Sequence, residues 1–376
     1  MRLTFFILFS CISAFAALSQ NKLELDGQAS LFGNYSPDSE MEVFTGVRYI
    51  PELNYHIGLE SARAIDFLGA VNIYGNSAFH PFDDSQADGE IKPYRIWARY
   101  TSSQLELRLG LQKIDFGTAT ILRPLQWFNQ IDPRDPLSLT NGVYGLLGRY
   151  YFLNNANIWL WALYGNEETR GFDAVKTNEK LPEFGGRVQY PVPNGEIAMA
   201  YHYRTADSRG LTGINSHKKI PENRFGLDGK WDIGIGLWFE ASYIHKSKNI
   251  GSLTNQSLFN LGADYTFGIG SGLNVVAEHL IMAYDENVME FGTSNNITAA
   301  NISYPLNLFD NLSSVLYYSW DTDDFLFFIN YEHQFKKLIG YVMAYYNPET
   351  QQAFQQNELV NTFTGPGIRL MLVYNH

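Results

Sequence analysis

The sequence predicts an all-β fold: a transmembrane antiparallel up-and-down β-barrel of about 18 strands, with 16 as the alternative count. Three observations predict it. Apolar and polar side chains alternate with a two-residue period along most of the chain, the period of a strand with two unlike faces. The connections between alternating segments are short and long by turns, as in a barrel with tight turns at one membrane face and loops at the other. The aromatic content is high (26 Phe, 24 Tyr and 7 Trp), yet beyond the amino-terminal run no stretch approaches the roughly 20 apolar residues of a spanning helix.

The amino-terminal residues read as a secretory signal peptide over 1–19. Arg2 is a minimal positive region, residues 3–17 form a short apolar run, and the small residues Ala14, Ala16, Ala17 and Ser19 follow. Cleavage is expected near Ser19/Gln20 or just after Ala16, leaving one barrel domain over 20–376. Cys11 is the only cysteine. A lipoprotein-type cut before it would leave too short an apolar run, so the mature chain is expected to have neither disulfides nor thiolate metal sites. Asp and Glu number 39 against 27 Lys and Arg, and loss of Arg2 makes the mature charge 26 − 39 = −13. That balance excludes a nucleic-acid partner, which requires a basic footprint.

The elements follow in order. Segment 23–33 sets Leu23, Leu25, Ala29 and Leu31 against Glu24, Asp26, Gln28 and Ser30. Segment 43–59 carries Pro51, which implies a bulge or a break in pairing. Segments 64–74 and 93–101 follow, the latter with Arg95, Trp97 and Arg99 opposite Tyr94, Ile96, Ala98 and Tyr100. The fifth strand places Leu105, Leu107, Leu109 and Leu111 opposite Glu106, Arg108 and Gln112; the sixth places Tyr144, Leu146, Tyr150 and Phe152 opposite Arg149. The seventh, 157–164, is apolar on both faces, so its orientation is open. Strands are then expected at 185–190, 196–204, 224–231, 236–246, 258–267, 273–284, 297–304, 312–320, 325–333, 338–346 and 367–376. Polar connections run over 36–41, 80–92, 117–141, 165–183, 206–222, 285–296 and 347–366, with tight turns between them. The connection at 321–324 is the short exception. No blade repeat or linker divides the chain. Both termini then lie on the periplasmic side, and Leu370, Leu372, Tyr374 and His376 alternate to the end in the manner of a signal read by barrel-assembly machinery.

The long third loop, 117–141, joins two strands that carry arginine on their polar faces. Charge facing lipid costs about 2–4 kcal/mol at the bilayer midplane. Arg95, Arg99, Arg108, Arg149 and Arg187 are therefore expected in the lumen, on neighbouring strands, as a basic wall. Asp132 and Asp135 face that wall if the loop folds inward, and the resulting transverse field sorts solutes by charge. The plainer expectation is that the arginines pair with Glu106, Asp115 and loop carboxylates to satisfy a polar interior. Trp127 and Phe128 anchor the loop to the wall or offer a stacking surface to a sugar ring. Further lumen carboxylates are expected at Glu24, Asp26, Asp66, Asp228, Glu240, Asp264 and Glu332.

The run Leu-Arg-Leu-Gly-Leu-Gln-Lys-Ile-Asp-Phe-Gly at 107–117, with Arg123-Pro124, Asn129 and Asp132-Pro133-Arg134-Asp135, resembles the strand-and-loop motif of Gram-negative outer-membrane porin-like proteins, including alginate-export-like porins. It spans roughly 30 residues and has Phe116 where Trp is common. The resemblance implies a multi-pass outer-membrane barrel and places 117–141 at the position of the porin constriction loop. The function expected is passive diffusion of small hydrophilic solutes or sugars; the alternative is a barrel for surface polysaccharide export or attachment. Catalysis is not expected. The histidines (His56, His80, His202, His217, His245, His279, His333, His376) are scattered, and no nucleophile elbow, His-Glu-x-x-His spacing or phosphate-cradling loop occurs. An outer-membrane hydrolase is the lesser alternative. No cofactor or metal is expected; the partners are outer-membrane lipid, the solute and the assembly machinery, with homo-oligomerisation left open.

Overall fold

Inside a bilayer no water pairs with backbone N–H and C=O groups, so strands cross only as a sheet closed on itself. The computed structural model describes residues 21–39, 41–80, 85–288, 290–348 and 365–376; the signal peptide expected at 1–19 lies outside them. Among the described residues there are eighteen barrel strands. They are β1 (Asn21–Tyr35), β2 (Val43–Leu59), β3 (Arg63–Phe79), β4 (Ser85–Thr101), β5 (Leu105–Gln112), β6 (Val143–Tyr151), β7 (Asn157–Leu163), β8 (Glu183–Val192) and β9 (Gly195–Asp207). There follow β10 (Ile220–Asp232), β11 (Gly236–Lys246), β12 (Asn255–Phe267), β13 (Leu273–Asp285), β14 (Thr293–Pro305), β15 (Asp310–Ser319), β16 (Asp324–Gln334), β17 (Leu338–Asn347) and β18 (Gly365–Asn375). A two-residue segment, Lys176–Thr177, adds to the edge of β9 within the loop after β7.

Each strand pairs antiparallel with its successor, and β1 closes the ring on β18 from Gln28↔Asn375 to Tyr35↔Ile368. Backbone hydrogen bonds between Gly27 and His376 finish the seam. The fold class read from the alternation is the one observed, with eighteen strands. Connections at one rim are tight (60–62, 102–104, 193–194 and 335–337, for example), while the other rim carries 113–142, 164–182 and 208–219.

Two local departures have physical causes. The fourth strand begins at Ser85, not near Pro93, because the β3–β4 ladder resumes beyond a register shift at Ala70/Val71 and continues to Phe79↔Ser85. The second connection at that rim is therefore shorter than the 80–92 expected. At Pro51, which lacks an N–H, the β2–β3 ladder passes from Tyr49↔Ile73 to Glu52↔Ala70, leaving out Ile50 and Pro51.

The outer wall is apolar: Leu25, Leu109, Leu160, Val188, Met199, Phe225, Leu261 and Leu370 are exposed there. β7 is oriented by the same rule. Leu160 faces outward, whereas Trp161 and Leu163 are buried inside against Ile114, Phe116 and Phe128. Its inner face is apolar because it meets a packed loop, not water. The inner faces of β13–β18 are apolar for the same reason. Leu280, Met282, Ile297, Val315, Phe328 and Met343 form a buried cluster with Ile121 and Leu122 of the loop 113–142. We expect Leu160→Arg to destabilise the barrel by about 2–4 kcal/mol in reversible denaturant unfolding from phospholipid vesicles. Replacement of Leu160 by Phe leaves the midpoint unchanged within error.

Candidate functional site: the infolded loop and the charged lumen wall

The segment 113–142 leaves the end of β5 through the motif noted in the sequence, in which Gln112, Ile114, Phe116 and Gly117 each hold the loop in place. Gln112 donates to the carbonyls of Arg108 and Gly145, tying β5 to β6 beneath the loop. Ile114 is fully buried. Phe116 stacks on Trp161 at 5.7 Å and meets Trp127 and Phe128 edge-on. Gly117 has φ +106°, and a Cβ there would collide with the Glu240 carboxylate, so only glycine allows the turn.

The loop then crosses the lumen to β11–β13, where two glutamates receive it. Glu278 accepts hydrogen bonds from the backbone N–H groups of Thr120 (2.7 Å), Ile121 (3.1 Å) and Leu122 (2.6 Å), and from the Thr120 hydroxyl. Trp238 Nε1 and Asn260 Nδ2 donate to the same carboxylate. Glu240 accepts the N–H groups of Ala119 (2.7 Å) and Leu125 (3.1 Å). Trp127 donates to Ser242 at 3.1 Å, and Asn260 donates to the Leu122 carbonyl. A segment folded into a barrel cannot pair as a strand, so its donors need acceptors from the wall. Ionised carboxylates with several donors are the strong form of that bond. Trp127 and Phe128 are both buried as wall anchors.

The candidate arginines occupy the inner wall in two settings. Arg95 reaches the returning limb of the loop, donating to Thr140 O and Oγ1 at 2.8 and 2.6 Å. Arg187 forms a two-pronged pair with Asp228 at 2.5 and 2.8 Å and lies over the Phe116 ring. These two are buried by the loop. Arg99 pairs with Asp66 at 3.1 Å and retains 32 % side-chain exposure. Arg108 and Arg149 share Glu106 at 2.8 and 3.7 Å. Each is further held over an indole, Arg108 over Trp97 and Arg149 over Trp159. Arg99, Arg108 and Arg149 therefore form a row on β4, β5 and β6.

Asp132 and Asp135 sit in the loop and face its own groups. Asp132 holds Arg134 through Nε and Nη2 at 2.9 and 2.8 Å. Burial opposes the charge on Arg134, but Asp132 outweighs it and holds the guanidinium above its ordinary value. Asp135 accepts the N–H groups of Leu137 and Leu139, and burial pushes its carboxyl up despite those bonds. Asp115 is placed between Arg123 (2.7 Å) and Lys113 (3.1 Å). Burial raises it, the two cations outweigh burial, and it lies below the usual carboxylate range.

A second loop, 164–182, is pinned by charge. Arg170 pairs with Glu183, which also receives His202; Asp173 receives both Arg204 (2.9 Å) and Arg224 (2.8 Å), and Glu222 lies between those arginines. The sequence marked Glu240 and Asp228 only as generic lumen carboxylates and passed over Glu278, Glu183, Glu222 and Asp173. The partners of Glu278 and Glu240 lie more than a hundred positions away in sequence; the sole local signal for these two was acid on the polar face of an alternating strand.

No family model and no curated protein matches the chain in sequence. Solved structures match it in fold. The anion-selective porin from Comamonas acidovorans aligns over 95 % of this chain and 100 % of its own, at 11 % identity and TM-score 0.50. Pseudomonas aeruginosa OccK7 (OpdD) aligns over 96 % and 99 % at 11 % identity and TM-score 0.57. Pseudomonas aeruginosa OccK5 (OpdH) aligns over 95 % and 98 % at 12 % identity and TM-score 0.56. At such identities the likeness defines the fold alone: a porin-type barrel.

Two outcomes are expected of the loop anchors. Glu278→Gln turns an acceptor into a donor facing N–H groups, costing about 1–3 kcal/mol for each stranded donor. Limited trypsin digestion of the folded barrel then cuts after Arg134, which is nearly buried in the wild type. The depressed Asp115 stabilises the loop above the unfolded carboxylate value of about 4 and loses that effect as pH falls through its lower folded value. Asp115→Asn thus speeds tryptic release at neutral pH; with pepsin at pH 2, the variant and wild type converge.

Proposed function

We propose that the chain is an outer-membrane channel through which small hydrophilic solutes or sugars diffuse passively. One observation carries the reading: the loop 113–142 crosses the lumen and is fastened to the far wall, which supports a narrowed bore. In this reading Arg95, Arg99, Arg108, Arg149 and Arg187 are the basic side of the constriction, and Asp132 and Asp135 belong to the loop opposite. Arg95 and Arg187 position the loop. Arg99, Arg108 and Arg149 retain side-chain exposure and set the field a solute meets. Their paired carboxylates, Asp66 and Glu106, leave three cations against two anions, so the row is net positive and favours anions.

The porin-type fold, the apolar outer wall and the signal-like amino terminus together support a multi-pass location in a Gram-negative outer membrane, assembled by the machinery that reads a carboxy-terminal strand. A second reading draws on the packed apolar inner faces of β13–β18 and on the motif resemblance to alginate-export-like porins: a barrel with a closed lumen that serves surface polysaccharide export or attachment. Conductance in planar bilayers separates the two. We expect discrete steps with anion preference, and Arg108→Glu combined with Arg149→Glu to reverse that preference. Absence of steps selects the closed barrel, and unchanged selectivity removes the arginine row from the constriction.

A further inference from the structure

The outer wall has a depression that the channel reading does not use. At the short-turn rim, Phe309, Phe335, Lys336, Lys337, Leu338 and Tyr374 line a groove of about 670 Å³. A second groove of about 520 Å³ shares Leu338 and Tyr374 and continues up the wall over β18, β1, β2 and β3. The register explains the shape. One row runs Leu338–Tyr374–Ala29–Tyr49–Ile73 across five strands, and the next runs Gly340–Leu372–Leu31–Val47–Gly75. Ala29 and Gly75 leave low points among large neighbours, so Ala29 is a slot between Tyr374 and Tyr49.

The rim end of this path is basic. Lys336 and Lys337 occupy the turn between β16 and β17, and among the described residues neither makes an ion pair or hydrogen bond. The nearby carboxylate, Asp310, is engaged by His333 (2.5 Å) and Tyr331 (2.6 Å) on one oxygen and by Asn307 on the other. The His333 ring in turn packs on Phe335 at 4.3 Å. Two unpaired ammonium groups thus stand at the mouth of an apolar channel that descends along the lipid face. Aromatic rings at the rim mark the polar–apolar boundary of the bilayer.

We propose that this path binds one glycerophospholipid of the periplasmic leaflet. The phosphate sits at Lys336 and Lys337, and an acyl chain runs past Leu338 and Tyr374 into the slot at Ala29. The charge complementarity is between two cations and a phosphate diester, and the membrane placement is that of the channel reading. The occupant is a leaflet lipid because the lysines are on the rim with short turns, the periplasmic rim of such barrels. Lipopolysaccharide occupies the opposite leaflet. The site is independent of solute passage: it faces outward, with the barrel wall between it and the lumen.

The test uses the full mature barrel in mild detergent and native mass spectrometry with palmitoyl-oleoyl phosphatidylglycerol as probe. Wild type is expected to retain one lipid. Lys336→Glu with Lys337→Glu is expected to weaken retention by about tenfold or more, and Ala29→Phe, which fills the slot and leaves both lysines, to weaken it similarly. Lys22→Glu, a charge reversal on β1 at the same rim, should leave retention unchanged. Heat-modifiable gel mobility verifies that each variant is a folded barrel. Equal retention in all variants would show an annular lipid only and overturn the proposal. So would loss with the lysine pair alone, which marks a charged surface without an acyl site, or displacement of the lipid by glycerol phosphate at equal concentration.

Discussion

Two carboxylates on the inner wall receive five backbone N–H groups of one loop, and the interior of this barrel is arranged around that fact. A chain segment inside a closed sheet has no ladder to join. Its donors either reach water or find acceptors projecting from the wall. Glu278 and Glu240 supply those acceptors two strands apart, close enough in the sheet to take successive turns of the same segment. Everything else in the loop follows from its being held there. Trp127 reaches Ser242, Phe116 and Phe128 pack on Trp161, and the returning limb meets Arg95 at Thr140. Gly117 is the price of the approach, since any side chain there would occupy the place of the Glu240 carboxylate.

The second infolded loop is held by a different chemistry. Arg170, Arg204 and Arg224 each find carboxylates within hydrogen-bonding distance, and Asp173 is shared by two of them. Buried ion pairs of this kind contribute little net stability once desolvation is counted, but removal of one partner is costly because the other is left charged and dry. Their effect is to fix position. The two loops together divide the inner wall into a charged, loop-covered part over β8–β13, a packed apolar part over β13–β18, and a row of partly exposed arginines on β4, β5 and β6.

What the sequence showed and what it hid have a common physical origin. Alternation is a local property, so the strands were legible wherever one face meets lipid and the other meets charge, as in Leu105–Gln112 with Glu106 and Arg108 inside. It faded in β7 and in β13, β14, β15 and β17, where the inner face meets packed side chains; there the connections carried the reading. The β4 start was missed because residues 85–92 are polar and lie beyond a register shift. The loop was legible as a long polar insertion, and its motif residues Gln112, Phe116 and Gly117 stood out. Its anchors were not, because Glu278 and Thr120 are 158 positions apart and nothing local distinguishes an acid that binds backbone from one that binds water. For the same reason Asp132 and Asp135 gave no sign that their nearest partners, Arg134 and the N–H groups of Leu137 and Leu139, lie within the loop itself.

The separation between the loop and its anchors also orders events during assembly. The loop emerges after β5, whereas β11 and β13 are more than a hundred positions further along the chain. Until those strands are in place the donors of Ala119, Thr120, Ile121, Leu122 and Leu125 lack their carboxylate acceptors. Contacts of such long range are slow to form, because the closure entropy of the intervening chain is lost before they reward it. The seam between β1 and β18 closes later still. Interior filling and ring closure are therefore coupled late steps, and a barrel sealed before its loop has docked would be a kinetic trap with a hydrated, unfastened interior.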